Sequence, residues 1–440
     1  MSVSKNKSVD IVTMGCSKNL VDSERLLKIF GDRGFVARHN PDNICADEVI
    51  INTCGFIGDA KEESIDMILR CCDGKKDGRI GKISVMGCLS QRYGKDLAAE
   101  IPEVDRWYGK FDWKAIAEDL GVENAVSRPG DRTVTTGAHH AYIKIAEGCN
   151  RFCAFCAIPL ITGRYASRPM DDIIEETRTL AAQGYTEFNV IAQDLSYYGV
   201  DLYGKSALAE LVDGMAGVEG VRRIRLHYAY PTDFPYDVLP VMARHANVCN
   251  YLDIALQHVS DNVLKNMRRH ITGDETRKLL QRIRAEVPGI HIRTTLMVGF
   301  PGEGEKEFNE LLEFVKAERF ERMGAFAYCE EEDTFAAKNF EDSVPAEVKQ
   351  SRLDLLMETQ QRIALEHNEA KIGTTLEVVI DGVNDEYYVG RSEYDSPEVD
   401  PEVLIDRKSC SEKLETGQYY KVRIIRALPY DLIGEVVGKA

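Results

Sequence analysis

Nowhere in its 440 residues does this sequence approach the roughly 20 consecutive apolar side chains that cross a bilayer, so no membrane span is expected. The first ten residues, MSVSKNKSVD, carry no apolar run of the kind that marks a secretory leader, and the chain is expected to stay in reducing cytoplasm. Basic charge is in short supply: 55 Lys and Arg stand against 72 Asp and Glu, a formal net charge of −17. Extended contact with a phosphate backbone needs clustered cations, so this balance weighs against nucleic acid and for a basic protein partner. No internal repeat is present, which leaves a chain of this length to fold as two or three domains.

Cysteine, by contrast, is plentiful. Twelve cysteines in a cytosolic chain are better explained by metal ligation or catalysis than by disulfides. Three short β-branched runs, VDIVTM, EVIIN and KISVM, alternate with helical stretches and read as a parallel βαβ domain over residues 1–126. Asp22 or Ser23 is the expected cap of its first helix. Each run ends in a cysteine: Cys16, Cys54 and Cys88. Carboxyl ends of parallel strands share one sheet edge, so these three can converge.

The polar, Pro/Gly-punctuated segment SRPGDRTVTT marks a boundary. Six further β/α units follow in residues 135–373, predicting an open partial (β/α)6 barrel that ends in a long linker helix. Residues 374–440 carry short alternating runs broken by turns, as in a small antiparallel β-barrel. The fold class is therefore α/β with an all-β tail.

Immediately after the first barrel strand, AYIKIAEG, the loop GCNRFCAFC sets Cys149, Cys153 and Cys156 in a CxxxCxxC spacing. Clustered thiolates suit a soft metal or an iron-sulfur cluster. A zinc site would want a fourth Cys or His nearby, and none lies within the next thirty residues. Three ligands on a four-iron cube leave one iron open to a chelating small molecule. The loop resembles that of the radical S-adenosylmethionine superfamily, including the aromatic Phe155 before the last cysteine.

GCSKNLVDSE, INTCGF and MGCLSQR, with the CxxxCxxC loop and the terminal small barrel, resemble the methylthiotransferase family over essentially the whole chain. The resemblance implies two 4Fe-4S clusters, the second on Cys16, Cys54 and Cys88, with S-adenosylmethionine supplying both a methyl group and a 5'-deoxyadenosyl radical. It also implies an electron donor such as flavodoxin or ferredoxin. GRSEYDSPEVD is similar to the RimO branch, which modifies an aspartate of a small-subunit ribosomal protein, whereas the MiaB branch modifies a tRNA adenosine. From Thr374 onward 14 Asp plus Glu stand against 8 Lys plus Arg, which favours a basic protein over RNA as the substrate.

Strand ends of a barrel are where ligand contacts gather, so Gln193 and Asp194, Gln257, and Arg293 with Thr294 are candidates to touch S-adenosylmethionine; each is equally open to plain capping or buried hydrogen bonding. Gln257 is the strongest of them. The turn VGFPGE lacks a GK[ST] ending and is not a phosphate loop; it either approaches the cofactor or simply turns the chain. Acidic CEEEDT reads as a solvated run, and Cys45, Cys71, Cys72, Cys249, Cys329 and Cys410 as small buried fillers. No catalytic side chain stands out. An iron-sulfur electron carrier would want four ligands per cluster, and a zinc-stabilised binding protein would show no iron.

Overall fold

Val9, Ile11, Val49, Ile50, Ile51, Ile83 and Val85 are fully buried, because helices cover both faces of the first sheet. That sheet is all parallel in the order β2-β1-β3-β4-β5, built from β1 (Ser8–Thr13), β2 (Val36–His39), β3 (Glu48–Thr53), β4 (Lys82–Gly87) and β5 (Arg106–Trp107). The computed structural model describes residues 7–410 and 412–440; residues 1–6, part of the stretch in which no leader is expected, lie outside it. Helices α1 (Ser17–Asp32) and α4 (Trp113–Asp119) pack on one face of the sheet, and α2 (Gly58–Lys76) and α3 (Cys88–Glu100) on the other.

Two expectations need correction here. β2 and β5 are short edge strands with weak patterns, and the sequence reading passes over them. Helix α1 starts five residues before Asp22, with Cys16 as its N-cap residue, so Asp22 and Ser23 are buried mid-helix and cap nothing. Ser23 instead hydrogen-bonds Thr13 and Asn52 across the sheet.

Arg132, in the expected boundary segment, is buried and makes that segment a seam. It pairs with Glu24 of α1 and Glu176 of the barrel and donates to the Tyr142 carbonyl. The barrel strands are β6 (His140–Lys144), β9 (Glu187–Ile191), β10 (Arg223–Ala229), β11 (Val248–Ile254), β12 (His291–Val298) and β13 (Arg322–Ala327), all parallel in the order β13-β12-β11-β10-β9-β6. Between β6 and β9 a small hairpin, β7 (Ala146–Glu147) with β8 (Ala166–Ser167), brackets the cysteine loop and its short helix α5 (Ile158–Thr162).

Strand alternation divides the barrel residues between two surroundings. Ile143, Phe188, Val190, Ile224, Leu226, Leu252, Ile292 and Leu296 join the apolar core under the helices. Tyr142, Glu187, Asn189, Arg225, His227, Asp253 and Arg293 stand on the other face and give the barrel a polar lumen.

The last five strands, β14 (Thr375–Val383), β15 (Tyr387–Arg391), β16 (Val403–Asp406), β17 (Tyr419–Ala427) and β18 (Leu432–Lys439), close into a barrel. Its pairs are antiparallel except β16 with β18, which is parallel, a departure from the expected fully antiparallel barrel. The helix Ala346–Glu369 joins it to the rest, with Gln360 donating to the Phe320 carbonyl and Asn368 to those of Leu428 and Tyr430.

This small barrel seals the amino-terminal end of the large one. Glu187, at the start of β9, is fully buried between Arg225 and Arg391, and the two arginines hold its carboxyl well below the usual range despite the cost of burial. Asp395 pairs with Arg322 at 2.7 Å, and Asp400 with Arg293 at 3.3 Å. Removing one partner of a buried pair costs about 3–5 kcal/mol. Asp395→Ala is expected to lower the unfolding free energy measured by urea denaturation by that order, while the reciprocal pair Asp395→Leu with Arg322→Met recovers most of the loss.

Candidate active site

Loops leaving β1, β3 and β4, three adjacent strands, place Cys16, Cys54 and Cys88 on one sheet edge. The approach is close. A Cβ on Gly15, whose φ is +86°, would lie 2.7 Å from Cys54 Cβ, and one on Gly55 would lie 2.6 Å from the Leu89 amide nitrogen. Only glycine lets these loops meet. Cys16 caps α1 and Cys88 opens α3, so both sulfurs sit at positive helix ends.

Cys16 is exposed, Cys54 half-buried and Cys88 buried, and nearby charge divides the three thiols further. At Cys16 the nearby Lys18 and Lys110, with the amides of Asn19 and Lys18, outweigh desolvation and lower the pKa. Cys54 stays raised, and Cys88 is pushed up to about 12. Lys110 is itself buried, donating to Asn19 Oδ1 at 3.0 Å and Asp22 Oδ2 at 3.2 Å; the same Asn19 oxygen lies 3.8 Å from the Cys88 sulfur. Three thiols flanked by amides and by the ammoniums of Lys18 and Lys110 suit an anionic thiolate-bound cluster.

The second triad lies in the loop after β6. The Cys156 amide donates to the Cys153 carbonyl at 3.0 Å, and the Arg151 amide to the Cys149 sulfur at 3.5 Å. Burial pushes Cys149 up to about 12 and raises Cys156 further, so binding of a metal cluster there would release their protons. The Cys153 sulfur sits 3.5 Å from both the Tyr230 hydroxyl and Arg269 Nη1. Arg151 ties the loop to Asp194 at 2.7 Å.

The two cysteine regions meet: Cys88 packs against Ala157 and Ile161 of the segment that follows Cys156. Two clamps hold that arrangement. Asp22 receives Lys110 from its own domain and Lys144 from the end of β6. Glu331, after β13, receives Lys61 of α2 and Arg92 of α3, while Glu332 accepts from Tyr93. The acidic run expected to be solvated is therefore an interdomain lock, a pairing with distant lysine and arginine that no local pattern announces.

Other sequence candidates separate clearly. Phe155 packs edge-on to Phe300 beside the cysteine loop. Gln193 and Asp194 follow β9 next to that loop. Gln257 is buried in the left-handed region at φ +71°, its side-chain oxygen without a partner among the described residues. Arg293 is not at the mouth: as the third residue of β12 it lies deeper and is spent on Asp253 and Asp400. Thr294 faces the core and donates to the Ile254 carbonyl. The VGFPGE turn is a structural one, with Glu303 pinned by His258, Arg352 and the Gly299 amide.

Cys71, Cys72 and Cys249 are buried as expected, but Cys45 and Cys329 are exposed. Gly199–Ser206 has the spacing of a phosphate loop, a match that sequence reading overlooks. Residues 200–203 coil into a helical turn and Lys205 turns to Glu210, so no strand feeds a phosphate cradle there. Tyr230 and Arg269, both missed, have no sequence signal; Arg151 lies inside the cysteine motif itself.

Comparison with known proteins agrees part by part. Residues 143–315 match the Radical SAM superfamily, 8–109 the Uncharacterized protein family UPF0004, and 372–437 the TRAM domain. The chain is 56% identical over 434 residues to the "Ribosomal protein uS12 methylthiotransferase RimO" of Parabacteroides distasonis, covering 99% of this chain and 100% of the relative. It is 55% identical to the proteins of that name from Porphyromonas gingivalis (98% and 100%) and Bacteroides thetaiotaomicron (99% and 99%). Among solved structures, the radical S-adenosylmethionine methyltransferase TsrM from Kitasatospora setae shares the fold at a TM-score of 0.54 and 14% identity, covering 92% of this chain and 84% of that one.

The Asp22 clamp generates a pH prediction. Asp22 is buried, yet Lys144 and Lys110 depress its pKa to about 2. A depressed carboxylate stabilises the fold above its unfolded value of about 3.9 and loses that contribution as pH falls through the folded value. Asp22→Asn is expected to lower the melting temperature at pH 7, by a loss of about 3–5 kcal/mol, and to flatten the acid limb of stability between about pH 4 and pH 2.

Proposed function

The chain belongs to the RimO family of ribosomal protein uS12 methylthiotransferases, and from that premise we propose that it places a methylthio group on the β-carbon of an aspartate in uS12. The observation that carries this reading is the pair of three-cysteine sites brought together, with Cys88 against the segment that follows Cys156. Cys149, Cys153 and Cys156 hold one 4Fe-4S cluster; Cys16, Cys54 and Cys88 hold the other. When bound, these clusters and S-adenosylmethionine supply the electron, the sulfur, the radical and the methyl group.

The chain's own residues position and enclose. Arg151 with Asp194, and Arg269 with Tyr230, fix the cysteine loop and set positive charge beside Cys153. Phe155 of the cysteine loop and Gln193 and Gln257 after β9 and β11 are the proposed contacts to S-adenosylmethionine, a reading supported by the partnerless oxygen of Gln257. Glu187, Arg225 and Arg391 fill the amino-terminal end of the lumen, so substrate approaches from the cysteine side.

Three working parts follow the sequence divisions at 1–126, 135–373 and 374–440. Part of the acidic surplus of the terminal barrel is internal, because Asp381, Asp395 and Asp400 are spent on Arg391, Arg322 and Arg293. The preference for protein over tRNA therefore rests more on family than on surface charge. The enzyme works in the cytoplasm and draws electrons from a small carrier such as flavodoxin or ferredoxin. Among the described residues no helix is long and apolar enough to cross a membrane.

Anaerobic reconstitution is expected to give about eight irons per chain, falling to about four when either triad is replaced by alanine. Four irons in the parent, lost only with the barrel triad, would contradict the two-cluster assignment. With S-adenosylmethionine, sulfide and reductant, mass spectrometry is expected to find a methylthio adduct on uS12 and none on tRNA; the reverse would favour the adenosine-modifying branch.

A further inference from the structure

Lys18, the second residue of α1, is the one candidate group at the mouth whose charge the fold leaves unanswered. It is 5% exposed, and its ammonium lies 3.4 Å from the centre of the Tyr228 ring on β10. Among the described residues it has no carboxylate within 4.0 Å and no hydrogen-bond acceptor. The neighbouring buried lysines behave differently: Lys110 and Lys144 are both answered by Asp22. The Lys18 stem is buried, while its ammonium keeps contact with solvent where it lies over the Tyr228 face.

Its position is specific. Leu20 and Val21, one turn further along α1, pack against Tyr142, Ile191 and Tyr228, so the start of α1 enters the lumen mouth. Lys18 acts on Cys16 on one side and on His227 on the other. His227 offers no compensating anion; it hydrogen-bonds Asn189 and is held neutral by burial and by Arg225, Arg293 and Lys18. Lys110 already faces all three thiols of that triad, whereas Lys18 reaches past Cys16 into the barrel. Lys18 is thus bounded by Cys16 of one triad and by Tyr228, two residues before the Tyr230 whose hydroxyl lies 3.5 Å from Cys153 of the other.

We propose that Lys18 is the specificity residue that receives the side-chain carboxylate of the substrate aspartate, setting its β-carbon between the two triads and rejecting uncharged residues. The assignment rests on the proposed reading of uS12 aspartate as the substrate. Tyr228 keeps the ammonium aimed until the carboxylate arrives, and the surrounding lumen mouth limits the solvent that screens the ion pair.

The test uses the reconstituted full-length chain under anaerobic conditions, measuring equilibrium binding of uS12 and of its variants carrying Asn or Ala at the target aspartate. The parent is expected to bind the Asp form about 10- to 100-fold tighter than the Asn form, the scale of a charge-assisted hydrogen bond. Lys18→Met and Lys18→Gln are each expected to bring that ratio to about 1 with iron per chain unchanged, and Lys18→Arg to restore part of it. Two variants of different polarity guard against loss of fold in one. A ratio that survives both substitutions overturns the assignment, and if iron content falls at the same time, Lys18 serves the Cys16 cluster instead. A parent that does not distinguish Asp from Asn overturns the substrate reading first, and the Lys18 assignment with it.

Discussion

Two parallel sheets must be held carboxyl edge to carboxyl edge, and the rest of the molecule follows from that constraint. Each sheet by itself can present three thiols at its edge, since strand ends and helix starts coincide there. Neither edge by itself brings a second triad within reach. The opposition is secured by charge: Asp22 spans Lys110 and Lys144, and Glu331 spans Lys61 and Arg92, one clamp on either side of the contact between Cys88 and α5. Buried ion pairs add little net stability over apolar packing, but they are costly to break and specific in geometry. That suits an interface whose register matters more than its strength.

The opposite end of the barrel is treated in the same currency. Outward-facing positions are aliphatic and inward-facing ones polar, so the lumen would be wet if left open. The segment around Asp395 and Asp400 is laid across its base, where those carboxylates meet Arg322 and Arg293 of the strands and Arg391 of the small barrel meets Glu187. Arg225, fully buried, also donates to the Ser392 and Glu393 carbonyls. Among the described residues, buried polar atoms without a partner occur at both ends of the barrel, Arg225 Nε and Arg322 Nε at the base and Gln257 Oε1 at the cysteine end.

Much of this was legible in residues 1–440 without coordinates. Cys16, Cys54 and Cys88 end three strands of one parallel sheet, and parallel strands cannot end anywhere but on a common edge. Cys149, Cys153 and Cys156 are close in sequence, so no fold could separate them. The β/α alternation likewise leaves few topologies. These are local or topological facts, and local patterns carry them.

What only the tertiary structure decided is who answers each charge. Arg293 sits on a strand and reads as a mouth residue until its depth along β12 and its partner Asp400, over a hundred residues away, are seen. Glu331 reads as solvated until α2 and α3 supply Lys61 and Arg92. Asp22 reads as a helix cap until α1 is found to start at Ser17, at the edge where Cys16 lies. Sequence determined which side chains carry charge and which edge collects the thiols; the energy of a buried charge depends on neighbours brought from elsewhere in the chain, and those neighbours exist only in the fold.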